Sequence, residues 1–437
     1  MSIKRLSLAS AVLGCLAALG APAHALEKAQ VQSLAQAGQS VEFDIYFPAR
    51  HRAELDQLLI DQQTPGSVRY HQWLTPQEYQ ARFGLDTDTL SKITGELQSR
   101  GLAVTETHAS RVHVKASAGA AEQAFSTRLA NARFAHGGQT MVATQPLVMP
   151  AALASLGAVV ARLSPVIHVH THSRKVATLG PSAGASGFHV DNRNSPTGGY
   201  WFDDLKQAYS YPSFKVLNGK GATIGILMDA DYKPSDMHDY FSHEKVLMPQ
   251  ISEVKVNGGA PFNADTGDSG ETSLDIQQSG GMAPDAHIVL YNIPSLSDAD
   301  IMAGLTRIVE DNQVDVVNMS FGGAELGNTA AYNGGSDFTG ILQAEDDLFK
   351  QGNALGITFV ASSGDEGSNS IPAEACFETG AKAGCGSYVT SVEFPASSPH
   401  VTGVGGTNLV TTATPGSLNS AYVRENADND PFASDPL

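Results

Sequence analysis

The chain has 437 residues, of which 42% are hydrophobic and 16% charged, with a formal net charge of −18. That is the composition of an ordinary globular protein, long enough for two domains, and not that of a disordered or fibrous chain. Residues 26–194 carry 15 Lys+Arg against 13 Asp+Glu, while residues 195–437 carry 10 against 32. Nucleic acid is excluded as a natural partner of the acidic second half. Nine of the 14 histidines fall in residues 26–194, so acidification makes that half cationic while it relieves self-repulsion in the other.

In chain order, Lys4 and Arg5 precede an apolar run from Leu6 to Leu19, and Ala23-His24-Ala25 follows with small–x–small spacing. This predicts a secretory signal over residues 1–25, a secreted or periplasmic product and no membrane span after cleavage.

Residues 38–163 read as an α+β unit of ferredoxin-like type. A strand is expected over Ser40–Phe47 and a helix over Arg50–Gln62. Thr75 is the N-cap of another helix, with Pro76 at its first position and Glu78 closing a capping box. A helix is expected over Asp86–Arg100, paired strands over Leu102–Thr107 and Arg111–Ala116, a helix over Ala120–Leu129 and a closing hairpin over Ala132–Pro146. Two helices packed on one antiparallel sheet complete the unit.

Residues 164–197 are rich in Ser, Gly, His and Pro without periodicity and read as a linker containing Arg174-Lys175, a natural place for proteolytic processing. His168, His170 and His172 alternate there, but no acid or cysteine stands beside them in sequence to complete a metal site.

Residues 198–437 change to apolar strands alternating with helices. Strands are expected at Ala222–Met228, Ile288–Tyr291, Asp315–Ser320 and Ile357–Ser362. Helices are expected at Ser235–Phe241, Thr272–Gly280, Asp298–Asn312 and Thr339–Gln351. This pattern predicts a parallel sheet covered on both faces, with its chemistry at the carboxyl ends of the strands. The informative loops therefore follow Met228, Ser320 and Ser362. Cys376 and Cys385 are close in sequence in a chain expected to be exported, and a short-loop disulfide is the default reading.

Three groups carry candidate chemistry. Glu271 and Asp275 stand four apart at the start of a helix, so both carboxylates share a face, repel, and push one pKa up. Such a pair suits acid–base work below neutral pH, although two solvated carboxylates at a helix N-terminus would look the same. Asp365 lies in Gly364-Asp365-Glu366-Gly367 past a buried strand, where it is either a turn former or, in a dry site, a protonated oxyanion donor. Ser320-Phe321-Gly322-Gly323 ends another strand and offers an edge for a peptide backbone.

In order along the chain, these pieces resemble the sedolisin (serine-carboxyl peptidase) family. Glu271 and Asp275 with Gly280-Gly281-Met282-Ala283-Pro284 resemble its Glu–Asp helix. Ala361–Gly367 resembles its Asp-containing loop, and Glu393–Pro399 with Gly403–Thr407 a third block. Tyr70–Gly84 and Ala118–Leu129 resemble the kumamolisin-type activation domain that precedes these peptidases. The resemblance implies a subtilisin-like α/β catalytic domain. It makes Glu271 the general base, Asp275 its orienting partner and Asp365 the oxyanion stabiliser, with Ser320, Phe321 and Gly322 binding substrate. Polypeptides are the implied substrates and the pro-domain an intramolecular inhibitor. The family's nucleophile lies in a Gly-Thr-Ser block, and no such block occurs in these residues; Gly406-Thr407-Asn408 has Asn in the serine's place. The expectation is a catalytic domain cut short before its serine, with the family's Ca2+ site in the same missing part. The alternative is a catalytically inactive peptide-binding or pro-domain inhibitor protein.

Overall fold

The computed structural model describes residues 27–134, 138–171, 200–264, 267–365, 367–368, 371–372, 388–412 and 420–427. The expected signal segment, most of the linker, Cys376 and Cys385 lie outside the described residues.

The N-terminal unit is built on a four-stranded antiparallel sheet. Its spatial order is Ala103–Thr107, Arg111–Ser117, Ser40–Tyr46, Val159–Ala161. With the strands numbered along the chain this order is 2-3-1-4, the ferredoxin-like arrangement. Alternation in Ser40–Tyr46 sends Val41, Phe43 and Ile45 to one face, where they pack with Ile93 and Leu97 of the Thr87–Ser99 helix and Phe125 of the Ala118–Phe125 helix. Asp86 caps the first of these helices by accepting from the Thr89 amide, and Thr75 and Glu78 form the expected capping box at Pro76–Phe83. The Ala118 helix stops earlier than its sequence suggests. Ser126 turns left-handed (φ 49°), and Leu129–Arg133 instead opens a hairpin with Gln139–Ala143. That hairpin adds a third strand, Gln30–Leu34, so the unit begins before residue 38.

The second unit holds a six-stranded parallel sheet in the order Gln250–Lys255, His287–Asn292, Thr223–Met228, Val316–Met319, Thr358–Ser362, Thr402–Val404. The four apolar strands expected from sequence form its centre, because they are covered on both faces. The two edge strands are half-exposed or exposed and carry no continuous apolar run, so periodicity passes over them. Helices Pro234–Glu244, Gly267–Met282, Asp298–Asp311 and Thr339–Leu355 cross between strands.

The two units share a core. The outer face of the N-terminal sheet meets helices 298–311 and 339–355, where Tyr46, Leu55, Tyr79 and Phe83 join Leu305, Leu348 and Phe349 in one cluster. The Tyr46 hydroxyl lies 3.4 Å from Thr306 Oγ1, and the Leu74 amide donates to Ala354 O at 2.9 Å. Ion pairs ring this contact: Arg52–Asp347 (3.0 Å), Lys350–Asp56 (3.2 Å) and His108–Glu310. Cations come from both sides, so the contact is not a plain meeting of a basic half with an acidic one.

Candidate active site

Glu271 and Asp275 lie on the Gly267–Met282 helix, 6% and 8% exposed, facing the carboxyl end of the parallel sheet. They are therefore not a solvated pair. The helix lies this deep because Gly280 and Gly281 let it approach its neighbours. A Cβ on Gly281 would fall 1.9 Å from the Phe202 ring, and one on Gly280 would fall 2.7 Å from Pro249. Asp275 Oδ1 accepts from Ser320 Oγ at 2.6 Å, and Ser320 Oγ accepts from Asn318 Nδ2 at 3.0 Å. Burial, followed by the Glu271 charge, pushes the Asp275 carboxyl up to about 8 against the pull of Ser320 and Asn318.

Phe321–Ala324 forms a short strand with one edge on Glu393–Phe394. The opposite edge is filled by the chain itself: His170 pairs antiparallel with Gly322, and Thr171 with Phe321. These residues belong to the stretch read from sequence as linker, whose first part thus pairs with the Phe321–Ala324 edge as a strand. His168, two residues earlier, is fully buried against Asp298 (Nδ1 to Oδ2 3.5 Å) and the Phe338 ring (5.2 Å between centroids). Thr171 Oγ1 donates to Asp268 Oδ1 at 3.0 Å, tying the segment to the acid-pair helix one turn before Glu271.

Asp365 stands past the end of the Thr358–Ser362 strand, after Gly364 (φ +85°), and is exposed. The Glu393 carboxyl packs against Gly364 so closely that a Cβ there would lie 2.5 Å from Glu393 Cδ. Ser320, Phe321 and Gly322 are thus brought together with Glu271 and Asp275, while Asp365 faces the same end of the sheet from solvent.

Sequence reasoning did not single out Asp229, Asp298 or Glu345. Asp229 directly follows the Thr223–Met228 strand, in a loop that strand order marked as informative. Burial and the neighbouring Asp268 push it up to about 8. Glu345 is buried beside Asp298 and is raised well above the carboxylate range, by burial first. Nothing in its helical sequence distinguishes it from a surface glutamate. Among the described residues no group of three or more His, Cys, Asp or Glu side chains is placed to hold a metal ion. His168 instead packs against Asp298 and Phe338, and His170 pairs with Gly322.

Fold and site together define a subtilisin-like α/β domain behind an N-terminal pro-domain. Residues 27–165 match "Pro-kumamolisin, activation domain", and residues 257–431 match "Subtilase family". The chain is 28% identical to kumamolisin from Bacillus sp. (strain MN-32) over 78% of its length and 57% of the relative's. It is 27% identical to xanthomonalisin from Xanthomonas sp. (strain T-22) over 87% of its length and 47% of the relative's. The structure of Pseudomonas sedolisin aligns at 27% identity with a TM-score of 0.42, over 54% of this chain and 59% of that one. The chain spans about half the length of the curated relatives it matches. In chain order it is thus similar first to a pro-kumamolisin activation domain and then to a subtilase domain.

Proposed function

We propose that these residues carry the general base, its partner acid and the substrate strand of an exported, acid-acting serine-type endopeptidase, held inactive by its own pro-domain. The observation that carries this reading is the buried Glu271–Asp275 pair beside a strand edge already occupied by chain from the pro-domain side. A peptide in the place of His170–Thr171 would run antiparallel along Phe321–Ala324, bound through backbone and therefore tolerant of sequence. Asp275, pushed up to about 8, stays protonated through the acidic range and can hydrogen-bond an ionised Glu271. Glu271 then accepts the hydroxyl proton of a nucleophilic serine as that oxygen attacks the peptide carbonyl. Asp365 would donate to the developing oxyanion, which requires substrate to cover it and keep its carboxyl neutral. In the family that the chain resembles, a Gly-Thr-Ser block supplies that serine.

The test begins by sequencing the transcript past the codon for Leu437. An open frame with that block, whose product digests casein at acidic pH and loses activity by at least about a thousandfold in Glu271→Ala, supports the reading. Digestion that survives Glu271→Ala would overturn it.

A further inference from the structure

Ser320 was expected to hold substrate, yet its hydroxyl faces the acid pair. We infer that Ser320 is a positioning residue for that pair: backed by Asn318, it fixes Asp275 Oδ1 as an acceptor and leaves the shared proton to Oδ2. A serine hydroxyl has one hydrogen to give. Asn318 Nδ2 donates to Ser320 Oγ at 3.0 Å, so an oxygen lone pair is used there and the hydroxyl hydrogen is free for Asp275 Oδ1, 2.6 Å away. An Asp275 oxygen that receives this bond cannot also carry the carboxyl proton along the same direction. Oδ2 is buried, and among the described residues no group donates a hydrogen bond to it. A buried oxygen left so is costly unless its proton finds an acceptor, and the carboxylate on its helical face is Glu271.

Asn318 belongs to the central Val316–Met319 strand and Ser320 to the link between that strand and Phe321–Ala324. The rigid centre of the sheet therefore sets the orientation of a side chain on the helix above it, as a precise proton donor requires. Glu271 is the charged group acting on Asp275, and the packed strand presents only the neutral Asn318 and Ser320. The inference rests on the reading of Glu271 and Asp275 as a proton-sharing pair.

The experiment is a carboxyl-carbon NMR titration of the full chain from about pH 4 to about pH 10, with the Asp275 signal assigned by its loss in Asp275→Asn. Ser320→Ala is expected to raise the Asp275 midpoint by about one pH unit, the loss of one hydrogen bond to the ionised form. Ser320→Thr, which keeps the hydroxyl, should restore the wild-type midpoint, and Asn318→Ala should move it in the same direction as Ser320→Ala by less. A Ser320→Ala midpoint equal to wild type overturns the inference; if that variant does not fold, an unmoved Asn318→Ala midpoint does so. Glu271→Gln separates this from the reading beneath it. Removing the like charge should lower the Asp275 midpoint, and if it does not, the two acids are uncoupled and the pair itself is lost.

Discussion

At the residue scale, the Gly280-Gly281 pair shows how a motif can be functional without touching the reaction. Its glycines admit the Phe202 ring and Pro249 against the helix that carries Glu271 and Asp275. Neither glycine has a left-handed backbone, so the constraint is space rather than conformation. Gly281→Ala is expected to destabilise the protein by about 1–3 kcal/mol through overpacking, read as a lower urea midpoint. Phe202→Leu in the same chain should recover part of that loss, because residues in direct contact couple. Full additivity of the two substitutions would show that the ring is not what limits this position.

At the scale of elements, the most informative one is the short strand His170–Thr171. Its register on Phe321 and Gly322 places the preceding backbone over Gly323, where a Cβ would fall 2.0 Å from the His168 carbonyl oxygen. That neighbour is backbone and cannot swing aside as a side chain would. Gly323→Ala is therefore expected to loosen the segment from that edge, with amide exchange at His170 and Thr171 rising roughly tenfold for about 1.4 kcal/mol of lost contact. Exchange as slow as in the wild type would mean that the strand pairing does not hold the segment. The buried His168 beside Asp298 is a second anchor for the same element.

At the scale of the whole molecule, burial raises the pKa of several carboxyls. Asp229 and Asp275 are pushed up to about 8, and Asp300 and Glu345 are raised, burial being the first cause in each. A carboxyl whose folded pKa exceeds its unfolded value gives stability that is complete below the unfolded value near 4. That stability is lost as pH rises through the folded value. The protein is therefore expected to unfold at lower temperature at pH 8 than at pH 5, Asp229 and Asp275 each contributing a slope of roughly 1.4 kcal/mol per pH unit between about 4 and 8. Asp275→Asn should flatten that slope in thermal melts; an unchanged slope would place the titrating protons elsewhere. Asp346 has the opposite sign. Burial raises it, but hydrogen bonds from His400 and Ser398 prevail and hold it low. Its contribution is present above the ordinary carboxylate range and fades as pH falls through its depressed value, which works against stability in strong acid.

The sequence by itself determined the elements that announce themselves locally. These were the capped helix at Thr75, the central strands with their apolar runs, the alternation of strand and helix, and the i,i+4 placement of Glu271 and Asp275. Each follows from a periodicity, a cap or a covered strand, which a linear pattern records. Tertiary structure alone decided what stood across the fold from these elements. It buried the acid pair, turned the Ser320 hydroxyl towards Asp275, and paired part of an apparent linker with the Phe321–Ala324 edge as a strand. It also made Asp229 and Glu345 into dry carboxyls. Those outcomes depend on desolvation and on contacts between residues 45 to about 150 positions apart, such as Ser320 with Asp275 and His170 with Gly322. No local pattern encodes them, because the energy of a buried charge is set by what packs around it rather than by its neighbours in the chain.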